Sequence, residues 1–370
     1  MNILLPAWSF YPSQEGGPSN ALYWLASGLA KLGHKVRVVT TNRCIKPGLI
    51  IENVWMQLNG FDVIYSSVHS RKNYLLEELY NCDLLLTNGV CSLRGFMFNV
   101  RALKLEKKII LSPRGELFDS AIFHKGKLYG LLKIAMFSVM KLAYRNKVIF
   151  HATSDKEVES IKKYMGQRAN IILVPNYMIL PDKVLPDSNQ NPYLLYVGRL
   201  NQIKNIDMII KGLSLSKKFM SSQVKFKIAG EKSGQYYESL IKQANELGIF
   251  HKIDFLGLVT GENKDRLYAN AKCLLLMSKS ENFGNVIVES LAQGTPVIAS
   301  KGTPWQILNN KGAGWWIDAD PYEIAKTVDD LLQLDNKQYL KMRDNAYLYS
   351  REFDIYENVE HWAGVLDMFE

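Results

Sequence analysis

The chain has 370 residues, 47% of them hydrophobic and 22% charged, which is the composition of a folded globular protein and excludes a disordered one. This chain is too long to fold around one ordinary hydrophobic core, so we expect about two domains. No stretch reaches about 18 uninterrupted apolar residues and the first residues lack a basic segment, so neither a membrane span nor a signal peptide is expected.

The basic charge is concentrated in the first half of the chain. Residues 1–180 hold 23 Lys and Arg against 12 Asp and Glu, whereas residues 181–370 hold 22 against 24. A one-sided positive potential indicates an anionic partner for the first half. The four cysteines show no zinc-like spacing and the six histidines are scattered. This favours reduced thiols in a cytoplasmic protein, with no metal site.

Apolar runs of strand length alternate with helical patterns almost throughout, which predicts α/β domains with parallel sheets. The predicted strands of the first half are Ile3–Ala7, Val36–Thr40, Asp62–Ser66, Leu84–Thr87, Ile109–Leu111, Val148–Ala152 and Ile171–Val174. The predicted helices there are Ala21–Leu32, which Gly33 ends, and Lys156–Met165, which Ser154 caps. Prolines and polar residues from Tyr177 to Pro192 are typical of an interdomain linker.

The same alternation resumes after this linker. The predicted strands are Tyr193–Val197, Lys225–Ala229, Ile253–Leu256, Cys273–Met277, Pro296–Ala299 and Trp315–Ile317. The predicted helices include Asn205–Leu215, Tyr236–Leu247 and Asn285–Gln293, followed by two helices from Asp335 to Glu370. We therefore expect two doubly wound, Rossmann-like domains facing a cleft, at residues 1–180 and 181–345. Residues 346–370 are expected to form a helix that packs back on the first domain.

The first candidate ligand loop contains Gly16 and Gly17 between a strand and a helix start. Glycines let the backbone approach a ligand closely, and helix-start N–H groups favour phosphate oxygens. A tight turn that needs glycine is the structural alternative. The dinucleotide fingerprint G-x-G-x-x-G is absent from this turn, which argues against a nicotinamide enzyme.

The second candidate site follows the predicted strand Tyr193–Val197, where Gly198 and Arg199 stand, with Lys204 five residues further on. Ligands of open α/β sheets bind beyond the carboxyl ends of strands. An arginine can bind phosphate bidentately and a lysine adds a point charge, so the pair suits a diphosphate. A pair of surface cations is the alternative interpretation.

The third candidate site is the segment between Glu281 and Glu289, where a strand ends and a helix begins near Asn285. Free N–H groups at this helix start are suited to a phosphate or sugar oxygen, and Glu281 can accept hydrogen bonds from sugar hydroxyls. A carboxylate among the apolar neighbours of Glu289 is costly unless it has donors, which ribose hydroxyls could provide. The alternatives are an exposed helix position for Glu289 and a helix-dipole charge for Glu281.

Taken in order, these motifs resemble the retaining glycosyltransferases of family four, which have the two-domain GT-B fold. The resemblance covers nearly the whole chain and rests on Gly16-Gly17, Gly33-His34-Lys35-Val36, Ser112-Pro113-Arg114-Gly115, Val174-Pro175-Asn176, Gly198-Arg199 with Lys204, Glu281-x7-Glu289 and Gly294-Thr295-Pro296. It is greatest for bacterial enzymes that build O-antigen, capsule or exopolysaccharide.

The resemblance implies a role for each matched residue. Arg199 and Lys204, with Gly198 beside them, are expected to bind the donor diphosphate. Glu281 and the Asn282-Phe283-Gly284-Asn285 backbone are expected to hold the transferred sugar, and Glu289 to take the ribose hydroxyls. Relatives often have a His where this chain has Arg114, which cannot act as a base but can donate to a sugar or phosphate oxygen. The resemblance further implies retention of configuration and no metal or other cofactor.

The acceptor side is predicted from the basic, apolar segment that runs from Lys125 to Lys147. Lys127, Lys141 and Arg145 fall on one helical side, as in interfacial helices, so we expect contact with an anionic membrane surface. A buried helix with snorkelling lysines is the alternative. A glycan or a polyprenyl-diphosphate-linked saccharide is the expected acceptor, with the enzyme peripheral at the inner face of the cytoplasmic membrane.

Two other functions compete with glycosyl transfer to an acceptor. A nucleotide-sugar 2-epimerase of similar architecture would turn over its donor without any acceptor. A non-catalytic binder of anionic glycan or nucleic acid would use the basic half, with Tyr129, Phe137 and Tyr144 for stacking. Binding alone leaves Glu281 and Glu289 unexplained, so we expect no nucleic-acid partner. UDP-sugar is the expected donor, and GDP-mannose is the alternative.

Overall fold

The computed structural model describes residues 1–13, 17–187 and 190–369. The chain forms two compact units, one of Met1–Ile179 together with Asp354–Glu370 and the other of Leu180–Phe353. Each unit is an α/β fold on a mostly parallel sheet. The predicted pair of doubly wound domains is therefore confirmed at the level of fold class.

The first unit contains, within its described residues, an eight-stranded sheet in the order β3-β4-β2-β1-β5-β6-β7-β8. Its strands are β1 Asn2–Pro6, β2 Lys35–Thr41, β3 Trp55–Leu58, β4 Phe61–Ser66, β5 Leu84–Asn88, β6 Lys108–Ser112, β7 Val148–Ala152 and β8 Asn170–Leu173. Every neighbouring pair is parallel except β3 with β4, which is antiparallel. The strand order changes direction between β1 and β5, the position at which doubly wound sheets bind ligands.

The second unit contains, in the part that the structure describes, a six-stranded parallel sheet in the order β11-β10-β9-β12-β13-β14. Its strands are β9 Tyr193–Val197, β10 Lys225–Ala229, β11 Ile253–Gly257, β12 Ala271–Leu276, β13 Val297–Ser300 and β14 Gly314–Ile317. The direction changes between β9 and β12, so the loops that follow these two strands lie at the switch point.

Helices connect the strands of both sheets. They are α1 Gly17–Lys31, α2 Arg71–Asn81, α3 Leu93–Lys104, α4 Asp119–Ile122, α5 Lys127–Tyr144, α6 Asp155–Met165, α7 Ile206–Leu215, α8 Lys217–Ser221, α9 Gly234–Glu246, α10 Glu262–Ala269, α11 Asn285–Ala292, α12 Ile307–Lys311, α13 Pro321–Gln333, α14 Asn336–Ser350, α15 Ile355–Asn358 and α16 Glu360–Asp367. Ser154 caps α6 as predicted, because its hydroxyl accepts from the Glu157 N–H. None of the helices within the described ranges is long and apolar enough to cross a bilayer.

The structure differs from the sequence prediction at β3, which was missed, at the start of the linker and at the start of the last segment. The predicted linker begins too early, because Tyr177 and Met178 are buried and Met178 O accepts from Ile355 N at 2.9 Å. The last segment begins at Asp354 instead of residue 346, because α14 packs on α11 in the second unit. This segment forms α15 and α16, and its Ile355, Val359 and Trp362 enter the apolar core of the first unit.

Candidate functional site

The loop after β9 carries Arg199 at the switch point of the second unit. The Tyr196 hydroxyl donates to Arg199 O at 2.9 Å, which fixes the turn. Burial, reinforced by the negative charge of Glu281, raises the pKa of Tyr196 well above its usual range, so this hydroxyl stays a donor. A Cβ at Gly198 would lie 2.9 Å from the same hydroxyl, so glycine is required for this approach. The Arg199 side chain is exposed, and no other described residue forms a hydrogen bond or ion pair with it.

The loop after β12 lies beside the loop that carries Lys204. Lys279 N donates to Ile203 O at 2.8 Å, which joins the two loops directly. On its other side, Glu281 N donates to Gly302 O at 3.0 Å, and Ser300 Oγ donates to Ser278 O at 2.6 Å. The segment around Glu281 is therefore held from both neighbouring loops.

Lys204 and Glu281 form an ion pair between these loops. Lys204 ends a short 3-10 helix, Gln202–Lys204, and its ammonium donates to Glu281 Oε2. Ser278 Oγ donates to the same oxygen at 3.2 Å. Each charged side chain is 17% exposed, so the pair is reachable from solvent. An ammonium has three N–H donors, so Lys204 can bind a further anion while it holds Glu281.

The turn before α11 places two backbone N–H groups next to Glu281. Gly284 precedes the helix with φ of 88°, a conformation that glycine adopts without strain. Within the described residues, the N–H groups of Phe283 and Gly284 have no hydrogen-bond partner. The ring of Phe283 is buried and packs edge-on against Trp305, whose indole N–H donates to Phe283 O. Only the backbone of Phe283 is therefore available to a ligand, while Asn282 and Asn285 are partly exposed on either side of the turn.

Glu289 lies on α11 and is only 7% exposed. Its Oε1 accepts from Lys264 Nζ at 2.9 Å, and its Oε2 accepts from the Tyr268 hydroxyl at 2.8 Å. The alternative of an exposed helix position for Glu289 is wrong. Two protein donors already form hydrogen bonds with its carboxylate. Burial opposes the charge of Lys264, but the Glu289 carboxylate outweighs it and raises the pKa of Lys264. A carboxylate has about four lone-pair sites, so Glu289 can still accept from a hydroxyl.

Sequence reasoning missed Lys264 and Tyr268. They stand four residues apart on α10, so both side chains emerge on one face of this helix. The signal was a polar pair at i and i+4 on the helix that leads into β12. Thr295 completes the arrangement, since its hydroxyl donates to Tyr268 O at 2.7 Å. The Gly294-Thr295 segment therefore supports α10 and ends α11.

Arg114 lies in the first unit, after β6, in the left-handed conformation with φ of 56°. Its Nε donates to Asn88 Oδ1 at 3.1 Å and its Nη1 donates to Asn176 Oδ1. Burial lowers the pKa of Arg114 to about 10, which leaves the guanidinium cationic at neutral pH. Two amides thus orient a partly exposed cation beyond the ends of β5 and β6.

His151 lies next to Arg114 and was not singled out in the sequence. Its Nε2 lies 2.8 Å from Val174 O, which can only accept, so Nε2 carries the proton. Its Nδ1 therefore accepts from Ser112 Oγ at 2.7 Å. Burial, together with the Arg114 cation, lowers the pKa of His151 to about 3, which keeps the imidazole neutral.

The described residues include only part of the glycine loop. Gly16 lies outside the described residues, and Gly17 is the exposed first residue of α1. Glu116 lies two residues after Arg114, and its carboxylate accepts from the N–H groups of Val90 and Cys91. Its carboxylate therefore holds the loop after β5 in place.

Comparison with known proteins assigns the second unit to a family. Residues 182–349 match the sequence model of the glycosyl transferases group 1 family. An uncharacterized glycosyltransferase of Methanocaldococcus jannaschii is 25% identical over 358 residues, which cover 90% of this chain and 89% of that protein. HepE of Anabaena, solved in complex with UDP and glucose, is 16% identical and aligns over 100% of both chains with a TM-score of 0.73. That likeness shows the fold, which is GT-B.

The name of a third relative states its activity. The GalNAc-α-(1→4)-GalNAc-α-(1→3)-diNAcBac-PP-undecaprenol α-1,4-N-acetyl-D-galactosaminyltransferase of Campylobacter jejuni is 31% identical over 205 residues. The match covers 54% of this chain and 55% of that protein, so it spans about half of that relative's length.

Proposed function

We propose that this chain, a group 1 glycosyltransferase of the GT-B fold, moves a hexose or N-acetylhexosamine from a nucleotide sugar to a glycan or lipid-linked acceptor. The observation that carries this proposal is the Lys204–Glu281 ion pair beside the N–H groups of Phe283 and Gly284, which have no partner within the described residues. A cation and helix-end dipoles meet a sugar-binding carboxylate there, at the switch point of the sheet.

Transfer requires stabilisation of the negative charge that grows on the departing diphosphate. Arg199 is an exposed cation whose side chain has no partner among the described residues, and Lys204 has N–H donors that Glu281 does not occupy. Fixed cations and N–H dipoles stabilise a charge that develops in the transition state more than they stabilise the ground state. This arrangement supports transfer without a metal ion, and we propose that the anomeric configuration is retained.

The donor and acceptor are proposed from relatives and from charge. UDP is favoured because HepE was solved with UDP and glucose, and GDP-mannose is the alternative donor. The Campylobacter relative acts, by its name, on a diphosphoundecaprenol-linked saccharide, which supports an anionic lipid-linked acceptor. We propose a role in bacterial surface polysaccharide synthesis, such as O-antigen, lipopolysaccharide or capsule.

The surface of α5 supports a site of action at the membrane. Lys127, Lys141 and Arg145 were predicted to share one side of a helix. Arg145 lies one residue past the end of α5, so only the two lysines belong to the helix. The helix leaves five large apolar side chains more than half exposed, here called the α5 face: Leu128, Leu131, Leu132, Val139 and Leu142. Cations stand on the same helix at Lys127 and Lys141, a combination suited to an anionic bilayer surface. We therefore propose peripheral binding at the inner face of the cytoplasmic membrane.

A calorimetric titration tests the donor site. Wild type should bind UDP more tightly than GDP or ADP, and Arg199→Ala should weaken UDP binding roughly 10- to 100-fold through loss of a charge-assisted hydrogen bond. Lys242→Ala removes an exposed cation from the same unit and should leave the affinity unchanged. If none of the three nucleotides binds, or if Arg199→Ala binds UDP as tightly as wild type, the donor site is misassigned.

A further inference from the structure

Three side chains gather beyond the carboxyl ends of β1, β2 and β4, which are neighbours in the sheet of the first unit. Trp8 follows β1, Arg43 follows β2 and Arg71 begins α2 after β4. The guanidinium carbons of Arg43 and Arg71 lie 5.9 and 6.0 Å from the centre of the Trp8 ring. Both distances are within cation–π range, so one indole ring contacts both cations.

Arg71 carries a charge that no described residue balances. Its Nε is buried without a hydrogen-bond partner, and no described residue forms an ion pair with its guanidinium group. Burial lowers the pKa of Arg71 to about 10, which leaves the group cationic at neutral pH. A partly buried cation without a counter-ion is costly, and an anionic ligand would offset that cost.

The cluster is held by hydrogen bonds and remains accessible. Thr41 Oγ1 donates to Trp8 O at 2.6 Å and accepts from Arg43 N at 3.3 Å, which fixes the first two members relative to each other. The Trp8 side chain is 46% exposed and Arg43 is exposed as well. An aromatic surface beside two cations thus faces solvent at the ligand-binding edge of the sheet.

We infer that Trp8, Arg43 and Arg71 form a subsite for a phosphorylated saccharide. The two guanidinium groups bind the phosphate, since planar N–H forks match phosphate oxygens. The exposed part of the indole contacts the apolar face of the adjoining sugar. The inference deepens the proposed function, because it makes this group the phosphate-bearing end of the acceptor. The phosphate can come from a soluble sugar phosphate or from a polyprenyl-linked one.

Fluorine NMR on the full chain labelled with 5-fluorotryptophan tests the subsite, with the Trp8 resonance assigned from Trp8→Phe. Titration with glucose 1-phosphate should shift that resonance saturably, and methyl α-glucoside should bind about tenfold more weakly or not at all. Arg71→Gln should weaken glucose 1-phosphate binding about tenfold, as should Arg43→Gln, which keeps the test open if the first variant does not fold. Arg94→Gln removes an exposed arginine of the same unit and should change nothing.

Nanodiscs with and without undecaprenyl phosphate separate the two phosphate sources. If the Trp8 resonance shifts only with undecaprenyl phosphate, the subsite binds a lipid-linked acceptor. If it shifts with both undecaprenyl phosphate and glucose 1-phosphate, the subsite recognises the phosphate that the two probes share. No shift with either probe, or equal effects of Arg71→Gln and Arg94→Gln, overturns the inference. The titration is repeated in Arg199→Ala, where an unchanged Trp8 response separates this subsite from the donor site.

Discussion

At the residue scale, Glu289 has two donors that its sequence neighbours do not provide. Lys264 balances its charge and Tyr268 holds its second oxygen, so the carboxylate has one orientation in a largely buried position. Burial, with the Glu289 charge next, raises the pKa of Tyr268 well above its usual range, so the hydroxyl remains a donor. We expect both residues to position Glu289 for the ribose rather than to contact the reacting atoms.

Lys264→Met should therefore reduce the preference of the protein for UDP over 2′-deoxy-UDP. The variant leaves a buried carboxylate without its counter-ion, so stability should also fall, by about 3–5 kcal/mol for such a pair. The preference is the dissociation constant of 2′-deoxy-UDP divided by that of UDP, both measured by calorimetry. A fall in this ratio indicates a positioning role, because general destabilisation alone would affect both ligands equally. Tyr268→Phe should lower the ratio less, and Lys242→Met should leave it at the wild-type value. A wild-type ratio in Lys264→Met would contradict the positioning role.

His151 should make the first unit sensitive to acid. Its pKa is about 3 in the folded protein and about 6.5 in an unfolded chain, so as the pH falls from 6.5 towards 3 only the unfolded state takes up the proton. Stability is therefore lost as the pH falls through this window, by an amount on the order of a few kcal/mol. Urea unfolding at pH 7 and pH 5 should show a smaller loss for His151→Gln than for wild type. His69→Gln, at an exposed position, should lose as much stability as wild type.

At the element scale, the agreement between sequence and structure follows from burial. Strand β9 is a fully buried apolar run and β10 buries its apolar residues but not its lysines, so both were predicted with their observed bounds. The hairpin of β3 and β4 was missed although its turn, Asn59-Gly60, has the positive φ angles that Asn-Gly favours. Strand β3 is partly exposed and lies at the sheet edge, so its apolar signal is weak.

The candidate site was predictable only in part, for a related reason. Residues that share a loop, such as Glu281 with the start of α11, can be grouped from spacing alone. The partners of Glu289 lie 25 and 21 residues away on another helix, and only the packing of α10 on α11 brings them together. The Trp8 cluster likewise depends on the sheet order β4-β2-β1.

The exposed leucines of the α5 face should contribute to membrane binding. Leu131→Asp combined with Leu142→Asp should weaken binding to vesicles that contain anionic lipid about tenfold or more, because two exposed leucines lose their apolar contact with the bilayer. Cosedimentation at low and high salt separates the apolar from the electrostatic contribution to binding, since salt screens the attraction between the cations of α5 and the anionic lipid. Leu348→Asp, at a similarly exposed site in the second unit, should bind as wild type does. If wild type, the double variant and Leu348→Asp bind the vesicles equally, α5 does not contact the membrane.

At the scale of the whole molecule, the second unit is inserted into the first. The chain leaves the first unit after Ile179 and returns at Asp354, and Ile355 N donates to Met178 O where the two connections meet. The returning segment packs tightly on α1, because a Cβ on Gly28 would come within 2.5 Å of Ile355 Cγ1. The first unit is therefore complete only when the last residues of the chain are in place.

A chain that stops after Phe353 should lose the fold of its first unit and keep that of its second. Ile355, Val359, Trp362 and Leu366 are each less than 5% exposed, and burial of each is worth about 1.5–3 kcal/mol. Their combined loss approaches the roughly 5–15 kcal/mol that stabilises a whole domain. Limited proteolysis should cut residues 1–179 rapidly in the truncated chain, while residues 180–353 stay protected and, on the proposed donor site, still bind UDP.

A synthetic peptide of residues 354–370 provides the matched control for this truncation. Added in excess, it should restore protection of residues 1–179, since it returns the missing apolar side chains without a covalent link. The same peptide with Ala at position 362 should restore less, because the indole of Trp362 packs edge-on against His151 with ring centres 4.8 Å apart. Full protection of the truncated chain without any peptide would show that the first unit folds independently of its returning segment.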